Sequence, residues 1–135
     1  MGQQQLLLLV LAAIIVGVGV LVGVNMFQEN AAQANFDAVR QDCLTFAAAA
    51  QAWAKRPVAM GGGGQNFTNF SWGDINRTPD AGPFVNENGS YAVSAPGVTS
   101  VTITGTGKED PDGDGTVLSV TVVVTSNGVT VTQAD

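Results

Sequence analysis

The chain contains no histidine, a single cysteine and few basic residues. Without histidine, a Ser-His-Asp triad, a Cys-His pair and a histidine zinc site are all excluded. A single cysteine, Cys43, rules out a disulfide bond within the chain. The sequence also carries no cofactor motif and no convincing pair of nucleophile and base. It therefore predicts a protein that is not an enzyme.

Positive charge is scarce as well. The chain has five Lys and Arg residues in 135, a net charge of −6, and no basic residue before Arg40. Nucleic-acid binding requires a basic footprint, so we expect no nucleic-acid partner. An apolar membrane segment normally has Lys or Arg in front of it. We therefore expect either unusual insertion or a basic leader that is removed before this sequence begins.

Against this background stands a long apolar run. The nineteen residues from Leu6 to Val24 include no polar side chain, and fourteen of them are Leu, Ile or Val. About 20 apolar residues match the ~30 Å hydrocarbon core of a bilayer, and these favour insertion by roughly 4–8 kcal/mol. Residues 1–25 are predicted to be a transmembrane or filament-core half-helix. Gly17, Gly19 and Gly23 within it favour either close helix approach or a local bend.

Residues 26–56 are predicted to continue the helix in amphipathic form. Six apolar residues follow a 3-4-3-4-3 spacing and form one stripe that should pack on the rest of the protein. They are Phe36, Val39, Cys43, Phe46, Ala50 and Trp53. The other faces carry alanine where a solvated helix would carry charge, which indicates contact with other chains. Pro57 should end the helix.

Residues 57–90 show no clear period and are predicted to be a Gly/Asn-rich loop region. The four glycines 61–64 indicate a flexible joint and lack the Lys-Ser/Thr of a phosphate loop. Four asparagines lie in N-x-S/T sequences, the acceptor pattern for N-glycosylation. These are Asn66, Asn69, Asn76 and Asn88. Chance matches in an Asn-rich turn region are the alternative.

Residues 91–135 alternate apolar and polar side chains, as half-buried strands do. Candidate strands are 91–93, 98–104, 117–125 and 129–132, and Asn127-Gly128 is a strong hairpin signal. We expect an antiparallel meander with one apolar face, covered by the helix stripe. The predicted fold class is therefore α+β: a long N-terminal α-helix packed on a small antiparallel β-sheet head.

One candidate ion site lies between the second and third strands. Asp110, Asp112 and Asp114 alternate, and Gly115 follows the third. This matches the first half of a calcium loop, in which alternate oxygens turn inward and glycine permits the bend. The distal glutamate is missing, because Thr121 holds that position. A weak or incomplete calcium site and a solvated acidic turn both remain open.

The N-terminal pattern, an apolar run opening a long helix with a β-rich head behind it, resembles that of type IV pilins and their relatives, including archaeal pilins and pseudopilins. The resemblance implies a filament subunit, made as a precursor in the inner membrane, cut by a prepilin peptidase and assembled by an ATPase-driven platform. The product would be an extracellular helical homopolymer on the cell surface. The residues implied in its core are Gln5, Leu6, Leu9, Ile14, Gly17, Gly19, Leu21 and Gly23.

Gln5 departs from the family pattern, in which the fifth mature residue is usually glutamate. If the mature chain begins at Met1, an uncharged near-isostere takes that place; if it begins at Gln3, the position holds Leu7. Two alternatives to a filament subunit remain. One is a membrane-tethered monomeric binding module, with or without calcium dependence, and the other is a minor pseudopilin of a secretion system. The use of the filament (adhesion, twitching, DNA uptake or conduction) stays open.

Overall fold

The structure, a computed structural model, describes residues 2–78, 82–110 and 112–134. A single α-helix, α1 (Gly2–Lys55), opens the chain. Five strands follow: β1 (Phe84–Val85), β2 (Gly89–Ser94), β3 (Ser100–Gly107), β4 (Ser119–Thr125) and β5 (Val129–Ala134). They form one antiparallel sheet in sequential order. The α+β prediction is confirmed.

The helix has two parts with different surroundings. Every residue from 2 to 30 is exposed, whereas the apolar stripe of the second part is buried against the sheet. All six predicted stripe residues lie in the core, and Ala32, Ala47 and Ala54 join them. Burying a large apolar side chain contributes about 1.5–3 kcal/mol, so this stripe is what attaches the helix to the head.

The sheet turns one face toward the helix. Along β3 and β4 buried and partly exposed residues alternate, with Val101, Ile103, Val120, Val122 and Val124 fully buried. This confirms the predicted alternation. The strand boundaries differ, because β3 continues to Gly107 and β4 begins only at Ser119. Leu118, expected within a strand, precedes β4 and packs against the core half-buried.

The segment predicted as loop contributes to the core. Phe67, Phe70 and Trp72 are buried, and Trp72 lies in a short 3-10 turn (Trp72–Ile75). The ring of Phe46 on α1 makes edge-to-face contacts with the rings of Trp72 and Tyr91, at centroid distances of 5.2 Å and 5.0 Å. Strand β1 and the start of β2 also fall inside 57–90. Isolated aromatic residues without a period left no signal for this packing.

The glycine run closes the helix instead of forming a loose joint. The Gly63 N–H donates to the Trp53 carbonyl at 3.0 Å, and the Gly64 N–H donates to the Arg56 carbonyl at 3.0 Å. Carbonyls at a helix C-terminus lack partners within the helix. At Gly63 a Cβ would collide with the Asn66 carbonyl and the Trp53 ring. Only glycine therefore lets the chain fold back closely enough to cap α1.

Candidate functional site

The largest feature that the fold leaves uncovered is the first half of α1, residues 2–30. The most apolar 18-residue stretch of the helix has a mean hydropathy of 3.1, and none of it is buried. The exposed fractions of its large apolar side chains run from 50% at Val24 to 75% at Phe27. Its length and composition are compatible with membrane anchoring. Together with the antiparallel head, this gives a pilin-like architecture.

All eight predicted core-assembly residues lie on this exposed half. The helix is continuous through Gly17, Gly19 and Gly23, and a Cβ added at any of these would meet nothing within 4 Å. Gly19 and Gly23 are four residues apart, so they lie on one face and leave a shallow notch. Notches of this kind let another helix backbone approach closely. Gln5 is exposed in the first turns.

A polar cluster that sequence reasoning missed joins α1 to the β1–β2 hairpin. Asp42 Oδ2 accepts hydrogen bonds from Asn86 Nδ2 at 2.9 Å, Asn88 Nδ2 at 2.8 Å and Tyr91 Oη at 2.6 Å. Two turns earlier on the helix, Asn35 Nδ2 donates to the Asn88 carbonyl at 2.7 Å. These three partner residues lie more than forty positions from the helix residues that they contact, so only the fold brings them together.

The cluster sets the charge state of its members. Burial raises the pKa of Asp42, but the bonds from Asn88, Tyr91 and Asn86 and the charge of Arg77 outweigh it, so the pKa lies below its ordinary value. Burial, with the hydrogen bond to Asp42, raises the pKa of Tyr91. Burial and the neighbouring Asp42 charge raise the pKa of Cys43 to about 12. Cys43 is therefore a buried thiol, as its place in the stripe suggested.

The acidic loop brings the three predicted calcium ligands together. One carboxylate oxygen from each of Asp110, Asp112 and Asp114 lies within 4.8 Å of the others. The same carboxylates also accept bonds from the loop backbone. The Gly115 N–H donates to Asp110 at 2.8 Å, and the Thr116 N–H donates to Asp114 at 2.7 Å. The geometry is thus compatible with either a bound cation or an acidic turn held by its own backbone hydrogen bonds.

Asp110 and Asp112 differ in proton affinity. The Gly115 N–H lowers the pKa of Asp110. The Asp114 N–H lowers that of Asp112, but the hydrogen bond with Asp110 and the neighbouring negative charges outweigh it and raise the pKa. A cleft beside the loop is lined on its far side by helix residues Asn25, Gln28 and Glu29. Side chains of α1 that carry oxygen atoms, the atoms that calcium binds, therefore line the same cleft as the acidic loop. Sequence spacing did not predict that the helix and the loop lie side by side.

The four predicted glycan acceptors differ in accessibility. Asn69 and Asn76 are exposed, whereas Asn66 and Asn88 are half-buried. Asn66 Oδ1 accepts a bond from the Thr68 N–H at 2.8 Å. The side-chain nitrogen of Asn88, to which a glycan would be attached, is the one that donates to Asp42. Asn69 and Asn76 are the acceptors that fit a surface modification best.

Comparison with protein-family models, with characterised proteins and with solved structures gave no match for this chain.

Proposed function

We propose that this chain is the structural subunit of an extracellular filament of the type IV pilus kind, which polymerises through the apolar half of α1. The observation that carries the proposal is the complete exposure of an apolar helix that projects beyond its head. Leu9, Ile14 and Leu21 are 67%, 58% and 67% exposed. A surface of this kind requires a bilayer or other apolar helices around it.

Bundling supplies that environment without a membrane. A helix satisfies its own backbone hydrogen bonds, so it can pass from lipid into a bundle of like helices at little cost. The notch at Gly19 and Gly23 provides a surface for close packing. Exposed alanines on the second half of α1, among them Ala34, Ala48 and Ala52, extend a small-residue surface along the helix. Repetition of one heterologous contact produces an open helical polymer.

The proposal includes a route. The precursor resides in the inner membrane, a prepilin peptidase removes its leader, and an assembly ATPase with its membrane platform adds subunits. Because neither Gln5 nor Leu7 is charged, a new subunit docks without an ion pair between that position and a neighbouring amino terminus.

Shearing cells and imaging the supernatant by electron microscopy tests the filament. We expect fibres that contain this chain. Gly19→Leu fills the notch and keeps the segment apolar, so the variant should remain in the membrane fraction and form few or no fibres. Val20→Leu, on another face, is the matched control and should form fibres normally. Absence of fibres from the wild type, with a monomer in the membrane fraction, would overturn the proposal.

A second candidate is a membrane-tethered, calcium-dependent binding module, favoured by the convergence of Asp110, Asp112 and Asp114. Binding to the folded state raises the melting temperature as the ratio of ligand to Kd grows. The full chain in detergent micelles should then melt several degrees higher in millimolar calcium than in chelator. Asp112→Asn should reduce that shift, while Asp37→Asn on the exposed helix surface should preserve it. An unchanged melting temperature would rule out the calcium site.

A further inference from the structure

Strand β5 forms an open edge of the sheet. Among the described residues, β4 is its only strand neighbour. Five of its six residues are exposed, among them Val129 at 37%, and Val131 is half-buried. Natural sheets usually protect an edge with charge, proline, a bulge or a short strand. The sequence of β5, Val-Thr-Val-Thr-Gln-Ala, has neither charge nor proline.

The hairpin geometry shows which backbone groups face outward. The Thr125 N–H donates to the Gly128 carbonyl at 2.9 Å, so these two residues form a hydrogen-bonded pair. Such pairs alternate with non-bonded pairs along an antiparallel ladder. The backbone N–H and C=O groups of Thr130, Thr132 and Ala134 therefore point toward β4. Those of Val129, Val131 and Gln133 point away from the sheet.

The opposite edge of the sheet is a poor pairing partner for the outward backbone groups of β5. Strand β1 has only two residues, so it offers a short partner to a six-residue edge. Among the described residues, the edge strand that matches β5 in length is β5 of another copy of this chain. A second copy is therefore the partner that matches this edge in both length and pairing pattern.

We propose that β5 pairs antiparallel with β5 of a second copy, about a two-fold axis at Val131. In this register Val131 lies opposite its own counterpart, and Val129 lies opposite Gln133. All three outward-facing residues then pair with outward-facing residues, which gives about six hydrogen bonds. A slip of two residues in either direction leaves one of the three unpaired. The central register is thus the one that satisfies the whole edge.

The side chains are compatible with this register. Val131 packs against the edge of the core in one copy, and in the pair it meets the Val131 of the second copy on the same face. Apolar cross-strand pairs stabilise antiparallel sheets. Pairing also covers Val129, which is otherwise partly exposed. The result is one ten-stranded sheet that continues across two heads.

This contact goes beyond the proposed filament. A two-fold contact is isologous and joins copies that point in opposite directions, whereas a polar filament repeats one heterologous contact. Pairing through β5 therefore links chains of different filaments, or free chains in detergent micelles. It is an association between assemblies and does not depend on the polymer.

Disulfide cross-linking of variants with one added cysteine tests the register, with the full chain in detergent micelles. Val131→Cys should form a disulfide-linked dimer under mild oxidation, because opposed Cα atoms about 5.5 Å apart match disulfide geometry. Thr130→Cys should not, since two copies of residue 130 are displaced along the strands beyond disulfide reach. Cys43 is buried and should stay unlinked in the wild type.

A proline variant tests the hydrogen bonds. In the Val131→Cys background, Gln133→Pro removes an outward N–H and spares the ladder to β4, so linkage should fall at least tenfold. Gln133→Ala keeps the N–H and should link normally. Melting curves check that both variants fold. No linkage at residue 131, equal linkage at residue 130, or linkage unaffected by proline would each overturn the pairing, whatever the outcome for filaments.

Discussion

At Gly105, in β3, the sheet lies close against α1. A Cβ at this position would lie 2.5 Å from Cys43 Sγ and 2.8 Å from Val39 Cγ1. The helix can rest on the strand only because the side chain is missing. The close contact between helix and sheet thus depends on a glycine, which adds nothing to the apolar and polar pattern of the strand.

Gly105→Ala should lower the free energy of unfolding by about 1–3 kcal/mol, because overpacking a filled core shifts side chains or backbone. Denaturant or thermal unfolding of the full chain in micelles measures it.

Gly97→Ala is the control, since a Cβ there meets the Ser100 carbonyl at an ordinary 3.5 Å. Removing the sulfur with Cys43→Ala should restore part of the stability lost by Gly105→Ala, as contacting residues are not additive. Equal stability of Gly105→Ala and wild type would contradict close packing at this point.

At the scale of elements, the contact between α1 and the β1–β2 hairpin combines an apolar stripe with a cluster of hydrogen bonds. The stripe fixes which face of the helix is buried. Asp42, held by Asn86, Asn88 and Tyr91, fixes where the hairpin lies along it. Apolar contacts tolerate sliding, whereas hydrogen bonds to one carboxylate oxygen specify a position.

Asp42→Asn should lower the free energy of unfolding at neutral pH by about 1–3 kcal/mol, the range for hydrogen bonds to a charged group. The pKa of Asp42 is lowered in the folded state from 3.8. Its charge therefore stabilises the fold above that pH, and the benefit disappears as pH falls through the folded-state pKa.

Unfolding curves from about pH 7 to about pH 2 should show the gap between wild type and Asp42→Asn narrowing on the acid side. Asp37→Asn, at an exposed helix position, should stay within about 0.5 kcal/mol of wild type. A gap that stays constant with pH would mean that the Asp42 charge does not contribute.

At the scale of the whole molecule, the chain is a rod with a head on its second half. Residues 2–55 form one helix of about 80 Å at 1.5 Å per residue. About half of it, residues 2–30, is exposed. The head buries its own apolar surface and leaves this part of the rod uncovered, so free energy remains to be gained by surrounding it with lipid or with other apolar helices.

The two proposed contacts use separate parts of the molecule. Rods associate through residues 2–30, while heads pair through the edge of β5. Since one contact is heterologous and the other isologous, they can coexist, and variants at Gly19 and Gln133 should affect them independently.

The sequence by itself determined the apolar rod, the buried stripe of α1, the alternation in β3 and β4 and the acidic loop. Each of these is a periodic or local pattern, and such patterns follow from the geometry of a helix, a strand or a turn. Only the tertiary structure decided the capping of α1 by the glycine run, the aromatic residues of 57–90 in the core, the Asp42 cluster and the open edge at β5. The capping depends on a close return of the backbone that no periodic pattern specifies. The other three depend on groups that lie far apart in the chain and meet only when it folds.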